Sequence, residues 1–171
     1  QPALTNLEDC QFLIADFARV RARPETIAAA RFLALTAVRL EAVRGMRWGE
    51  VNLDAQTWTV PAARMKLSRA KKSEDRFDHV VPLSDAALVV LFGNRSKCGE
   101  QQLVFPGRGG APIGAGVLLE LHNRTAFAGR HVPHGWRASF STILNEDLGR
   151  DWNTDIEEAL GHTVKGKVEG A

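Results

Sequence analysis

A histidine and an arginine stand three positions apart in the segment HVPHGWRASFS, residues 131 to 141. Three positions is about one helical turn, so His134 and Arg137 are predicted to lie on the same face of a helix. Three further cationic or proton-carrying side chains stand at the ends of predicted elements: Arg39, Lys66 and His162. This set predicts a site that handles negative charge and protons together.

The chemistry that such a set favours is phosphoryl transfer. A phosphodiester that passes through a five-coordinate state gathers negative charge on its non-bridging oxygens. Two arginines can bind those oxygens bidentately, while lysine and histidine move protons to and from the attacking and leaving oxygens.

A metal site is the main alternative, because the chain has five histidines and 20 acidic residues. No histidine pair has the spacing of a helical two-histidine site, and no acidic cluster suggests a two-magnesium nuclease. The sequence therefore favours chemistry without a metal, and no cofactor is expected.

Composition indicates an ordinary globular protein of 171 residues, 44% hydrophobic and 25% charged, with a formal charge of +2. That net charge is too small to indicate a polyanion partner alone, but basic residues crowd the segment RMKLSRAKKSEDR. The residues there that could contact a polyanion are Arg64, Arg69, Lys71 and Lys72, although a solvated charged loop is the more common interpretation of any single basic run. Cys10 and Cys98 match no redox or metal spacing, and no membrane span or signal pattern occurs, so a cytoplasmic location is expected.

Apolar periodicity predicts a mainly helical fold. Thr5 and Glu8 have capping-box spacing before a first helix, and Pro24 opens a second, alanine-rich helix that is apolar on most sides. Later helical segments are LEAVRGM, DAALVVLFG after the capping residue Ser84, VLLELHNR, GWRASFSTILNEDLG and TDIEEALGH. The segments EVNLD, TWTVP and HVVPLS predict three short antiparallel strands. The glycine-rich segment LVFPGRGGAPIGAG lacks the Gly-Lys-Ser/Thr ending of a phosphate-binding loop and is predicted to be an ordinary loop.

Five segments, in order, resemble the catalytic domain of the tyrosine recombinases of the phage integrase family. They are LTAVRLEAVRGMRWGEVNLD, WTVPAARMKLS, HVVPLS, PHGWRASFSTILNE and IEEALGHTVKGKVEGA, and the resemblance runs from about residue 35 to residue 171. Any one of them alone would be weak evidence. The resemblance implies the integrase-type catalytic fold, mainly α with a small three-stranded sheet, as a single domain over residues 1–171.

The resemblance also implies a role for each residue. Arg39 and Arg137 would hold the scissile phosphate, Lys66 would protonate the departing 5′ oxygen, His134 would assist proton transfer, and His162 would bind or orient the phosphate. Lys71 and Lys72 compete with Lys66 for the role of the acid, since all three lie in one loop. Arg39 could instead pair with Glu41 or Glu50, and His162 could merely end a helix. His79, His122 and His131 are interpreted as surface or core histidines, and Trp48, Trp58 and Trp136 as packing residues.

Two departures from the family pattern stand out. Ala42 occupies a position where family members often carry glutamate. The chain also contains no tyrosine, the nucleophile that the family uses. The resemblance places it directly after residue 171, so we expect it to be cut off, unrecorded or lost, and we expect these 171 residues alone to bind DNA without cleaving it covalently.

The resemblance implies site-specific recombination of double-stranded DNA, as in the integration or excision of a prophage or genomic island. It also implies an N-terminal DNA-binding domain and a homo-tetramer on paired sites. The rival hypothesis is a non-catalytic DNA-binding relative, which occupies sites through its basic residues. A type IB topoisomerase or a hydrolytic nuclease fits the order of the segments less well.

Overall fold

A computed structural model describes residues 1–68, 71–95 and 102–162. Seven α-helices and three strands occur in these residues, together with several single 3₁₀ turns. In chain order they are α1 Leu7–Asp16, α2 Pro24–Thr36, α3 Leu40–Arg44, β1 Val51–Asn52, β2 Thr57–Val60, β3 His79–Pro82, α4 Asp85–Asn94, α5 Ala115–Asn123, α6 Gly135–Leu148 and α7 Asn153–Ala159. The predicted mainly helical fold with one small sheet is confirmed.

The helix ends follow local capping chemistry. Pro24 is the first residue of α2, as predicted, where a missing N–H costs nothing. The Ser84 side chain accepts from the Ala87 N–H and begins α4. The predicted cap of α1 was wrong by one residue, because the Asn6 side chain rather than that of Thr5 accepts from the Asp9 N–H, at 2.8 Å.

The sheet has the order β1-β2-β3, and both neighbouring pairs are antiparallel. β2 alternates between partly buried and fully buried residues, and its Trp58 and Val60 face the core. The Trp58 ring packs edge-on against Phe32 of α2, with 5.7 Å between ring centroids. The sheet is therefore fixed against the helix that leads to Arg39.

α2 is the central helix, as its composition predicted, and Ala29, Ala30, Phe32 and Leu33 are at most 1% exposed. A second, smaller hydrophobic cluster joins the end of α2 to α7 through Ala37, Ile156 and Leu160. Burial of such side chains contributes roughly 25 cal/mol per Å² of apolar surface. This small cluster holds the C-terminal end of α7 beside the end of α2.

Trp48, Trp58 and Trp136 are all buried, which confirms their interpretation as packing residues. The glycine-rich segment is a loop whose ends are tied by a bridge between Pro106 and Pro112, and no α-helix begins until Ala115. In the part of the chain that the structure describes, no helix has both the length and the apolar character needed to cross a bilayer.

Candidate active site

Arg137 lies in the first turn of α6 and is only 6% exposed. Its Nη1 donates to the Ala37 carbonyl at 3.0 Å, and its Nη2 donates to the Leu160 carbonyl at 2.8 Å. Ala37 ends α2 in a left-handed conformation, with φ of 49°, which aims its carbonyl back at the guanidinium. Burial first, and then the charge of Arg39, lower the pKa of Arg137 to about 10, so it stays cationic at neutral pH.

Arg39 immediately precedes α3, and its side chain also reaches the C-terminal end of α7. Its Nη1 donates to the Gly161 carbonyl at 3.4 Å, next to the carbonyl that Arg137 uses. Partial burial lowers the pKa of its guanidinium. The two arginines thus lie close together at the C-terminal end of α7, although they are 98 positions apart in the sequence.

The two carboxylates that could have neutralised Arg39 have other partners. Glu41 binds Arg44, with 2.6 Å between Oε1 and Nη1. Glu50 binds Arg64 and also accepts from the Trp58 indole N–H at 3.2 Å. Among the described residues, no ion pair joins Arg39 or Arg137 to a carboxylate.

Gly161 forms the turn that offers its carbonyl to Arg39. Its φ is +64°, in the left-handed region that favours glycine, and its N–H donates to the Glu158 carbonyl at 2.8 Å. A Cβ at this position would lie 2.8 Å from Met65 Cε and 3.2 Å from His79 Cδ2. The backbone angle therefore favours glycine, and an added Cβ would also displace the flexible end of Met65 and crowd the His79 ring.

His162 follows this turn and contacts Arg137 directly. Its Nε2 lies 2.6 Å from Arg137 Nη2, and its Nδ1 lies 2.5 Å from Glu157 Oε2. A guanidinium only donates, so Nε2 is the acceptor and Nδ1–H donates to the carboxylate. His162 therefore belongs to the arginine cluster as well as ending a helix.

His134 immediately precedes α6 and is exposed. Partial burial and then the charges of Arg137, Arg39 and, more weakly, Lys66 lower the pKa of its imidazole. A ring held neutral near neutral pH can accept a proton. The two arginines and Lys66 therefore lie within electrostatic reach of His134.

The lysine side chains of the loop between β2 and β3 differ in their surroundings. The Lys66 side chain is exposed, next to the buried Met65 that anchors its backbone. Lys71 is partly buried and its Nζ lies 4.8 Å from the centre of the Phe77 ring, which engages its charge. Among the described lysines of this loop, Lys66 is the one whose charge acts on His134.

The four basic residues predicted to contact a polyanion, which in this family would be DNA, differ in their surroundings. Arg64 is turned inward, binds Glu50 and donates to the Ala42 carbonyl at 3.4 Å, which gives it a structural role between α3 and the sheet. Lys71 lies over Phe77, Lys72 is exposed, and Arg69 lies outside the described residues. A DNA contact by Arg64 stays a prediction, and its charge is already paired.

Of the three histidines interpreted as surface or core residues, two are core residues. His122 and His131 are fully buried and their rings stack at 5.5 Å. His79 is different, because its Nε2 lies 3.2 Å from the Ala159 carbonyl at the arginine cluster, and Arg137 and Arg39 lower its pKa in addition to burial. The one feature of the sequence that could have indicated a role for His79 is its position as the first residue of the predicted strand HVVPLS, directly after the lysine loop.

The carbonyls of three successive residues at the end of α7 therefore bind three side chains from three other elements. Ala159, Leu160 and Gly161 accept from His79, Arg137 and Arg39, respectively. Two guanidinium groups lie at the C-terminal end of α7, and the imidazole of His134 and the exposed Lys66 lie within electrostatic reach. This arrangement can hold a phosphate-like anion and supply and remove protons. No group of three metal-ligating side chains occurs within residues 1–68, 71–95 and 102–162.

Comparison with known proteins identifies the family of the chain. The model of the phage integrase family matches residues 10–169. The chain is 40% identical over 142 residues to the prophage integrase IntZ of Escherichia coli (strain K12), covering 81% of this chain and 32% of IntZ. It is 37% identical over 134 residues to the tyrosine recombinase XerC of Xylella fastidiosa (strain 9a5c), covering 73% of this chain and 40% of XerC.

The same fold occurs in a solved structure of the XerH site-specific recombinase bound to its difH substrate. The TM-score is 0.69 at 17% identity, with coverage of 96% of this chain and 48% of that one. The chain spans about a third of the length of the prophage integrases that it matches.

Proposed function

The chain belongs to the phage integrase family, and from that membership we propose that residues 1–171 are the catalytic domain of a recombinase that cuts and rejoins double-stranded DNA at specific sites. The observation that carries this proposal is the pair Arg39 and Arg137, held side by side without a carboxylate between them among the described residues. Two adjacent cations that form no direct ion pair with a carboxylate among the described residues favour binding of an external anion, and a phosphodiester is the anion that matches the family.

In the proposed reaction a tyrosine oxygen attacks the scissile phosphorus, and the bond from phosphorus to the 5′ oxygen breaks. The arginines bind the non-bridging oxygens, where charge accumulates. His134, whose pKa is lowered, takes the tyrosine proton, and Lys66 gives a proton to the leaving 5′ oxygen. His162 orients the phosphate through Arg137. The resulting 3′-phosphotyrosyl link conserves the energy of the phosphodiester, and rejoining is the reverse reaction.

In this proposal the nucleophile lies outside the 171 residues, because none of them is a tyrosine. We propose that it follows them in the chain and that the 171 residues alone bind DNA without forming a covalent complex. The relatives that this chain matches include prophage integrases, which supports integration or excision of prophage-like DNA as the biological role. A homo-tetramer on paired sites is part of the same proposal.

The test is covalent trapping of the full-length protein on its own attachment site. The DNA carries a nick placed so that the cleaved fragment diffuses away after attack. We expect a protein–DNA adduct that withstands denaturant, and we expect Arg137→Ala to abolish it while leaving duplex binding measurable. DNA binding by the full-length protein with no adduct would support the rival, a non-catalytic DNA-binding relative, and would refute the enzymatic proposal.

A further inference from the structure

We propose that His79 is a positioning residue of the active site, one that fixes the C-terminal end of α7, and with it Arg39 and Arg137, against the strand that follows the Lys66 loop. This rests on the proposed function for its catalytic consequence and on the geometry alone for its structural one.

His79 is well placed for such a role. It is the first residue of β3 and pairs with Val60 of β2, so its backbone is held in the sheet. Its ring extends to α7, where Nε2 lies 3.2 Å from the Ala159 carbonyl. The ring also lies against Gly161, because a Cβ added there would meet its Cδ2 at 3.2 Å and its Nε2 at 3.3 Å. His79 therefore contacts both ends of the turn that presents carbonyls to the arginines.

The bond to Ala159 defines the form of the imidazole. A carbonyl only accepts, so Nε2 carries the proton and donates. Burial first, and the charges of Arg137 and Arg39 in addition, lower the pKa of His79, whereas the bond to Ala159 opposes this. The ring is thus a neutral donor that adds no third positive charge beside the two guanidinium groups.

The position of α7 matters because the next two carbonyls bind the arginines. Leu160 and Gly161 follow Ala159 directly, and the three bonds form one contiguous row. Loss of the first bond would free the end of α7 to move away from β3. A displacement of about 1 Å at reacting groups can reduce a rate by about 100-fold. His79 thus sets the distance between the lysine-bearing loop and the arginine pair.

The variants that test this are His79→Gln and His79→Leu. The Gln side-chain nitrogen stands at the same distance along the side chain as His Nε2, so it can donate to Ala159, whereas leucine fills similar space without a donor. Val80→Thr is the matched control, since Val80 is the next residue of β3 and 55% exposed. All three should fold, because none introduces a charge or a glycine.

The first measurement uses the 171-residue chain and does not depend on catalysis. Long-range ¹H–¹⁵N correlation should show His79 as the neutral ring protonated at Nε2. The His162 ring and Gly161 amide signals should shift in His79→Leu and return near their original positions in His79→Gln. A His79 ring protonated at Nδ1, or identical His162 and Gly161 signals in all variants, would overturn the proposal.

The second measurement follows covalent trapping by the full-length protein. His79→Leu should slow adduct formation by at least about tenfold with little change in DNA affinity, and His79→Gln should restore most of the rate. Equal rates in both variants would refute the positioning role. If the unmodified full-length protein forms no adduct, the proposed function fails, and the resonance measurement still decides whether His79 positions α7.

Discussion

Arg39 and Arg137 donate to the carbonyls of adjacent residues at the end of one short helix, Gly161 for the first and Leu160 for the second. The carbonyls orient the two guanidinium groups without neutralising them, since a peptide oxygen carries no formal charge. Helix C-termini also carry partial negative charge, which lowers the cost of holding two cations together. The result is a pair of oriented cations that remain available to an anionic ligand.

Replacing Arg39 with lysine should greatly slow strand cleavage by the full-length protein. Lysine keeps the charge but loses the planar fork, so it cannot bind Gly161 and a phosphate oxygen in the same geometry. We expect a loss on the order of 10²-fold in the rate of covalent trapping. The matched control is Arg31→Lys, because Arg31 is exposed on α2 and carries no role in the site. Equal rates for both variants would refute the role of Arg39.

A change of the leaving group in the DNA substrate should show whether Lys66 or Lys71 is the acid. Lys66→Gln should block cleavage of normal DNA, because the 5′ oxygen then leaves without a proton. DNA with sulfur in place of that bridging oxygen should restore cleavage, because a thiolate is a far weaker base and leaves unaided.

The control for this prediction is Lys71→Gln, since Lys71 is held over Phe77. That variant should cleave both substrates at rates close to those of the unmodified protein. If the sulfur substrate rescued Lys71→Gln in place of Lys66→Gln, the assignment of the acid would be wrong.

Gly161→Ala should destabilise the fold more than an alanine at a glycine with the same backbone angle and open space. Gly109 is such a control, with φ of +66° and no atom within 4 Å of an added Cβ, whereas an added Cβ at Gly161 would lie 3.2 Å from Cδ2 of the His79 ring and would displace the flexible end of Met65. The backbone strain of about 1 to 2 kcal/mol is common to both. Urea unfolding should therefore show a larger loss for Gly161→Ala, and equal losses would contradict the packing at this turn.

The buried ring of His131 should make stability depend on pH. Burial, and then His122, lower the pKa of His131 to about 4 in the folded protein. The folded pKa is below the unfolded one, so the unfolded state binds more protons as the pH falls from about 6.5 towards 4. The contribution of His131 to the free energy of unfolding should be at its maximum above pH 6.5, and the free energy should fall by about 1 to 3 kcal/mol as the pH falls from about 6.5 to about 4.

His131→Phe should reduce this pH dependence, because a phenyl ring can occupy the same place beside Trp136, whose ring centroid is 4.3 Å away. Urea unfolding at pH 4.5 and pH 7 gives the measurement. His134→Gln is the comparison, since His134 is exposed and should contribute less. An unchanged pH dependence in His131→Phe would show that His131 is not the group responsible.

Sequence reasoning was most successful where a pattern is local. The alanine-rich composition of α2, the cap at Ser84 and the short strand segment TWTVP each depend on residues close together in the chain, and these elements formed as predicted. The family resemblance supplied the order of the candidate residues. The structure brings Arg39, Arg137, His134 and His162 together, with Lys66 within electrostatic reach.

What the sequence could not supply depends on contacts between distant segments. Nothing local to His79 indicates that the carbonyl of Ala159, 80 positions later, accepts a hydrogen bond from its ring. Likewise, the pairing of Arg64 with Glu50 appears only when α3 and the sheet pack, so the sequence alone did not distinguish the paired basic residues of this run from the exposed ones. Charges next to each other in a sequence can point to opposite sides of a fold.

The bond between Arg39 and Gly161 closes a loop of 122 positions, which is most of the length that the structure describes. On a ribosome, Arg39 leaves the exit tunnel long before Gly161, whose carbonyl orients it, is synthesised. The nascent chain can therefore form its central helix and sheet while the arginine pair is still incomplete. The anion-binding geometry would be assembled only once α7 has emerged and docked.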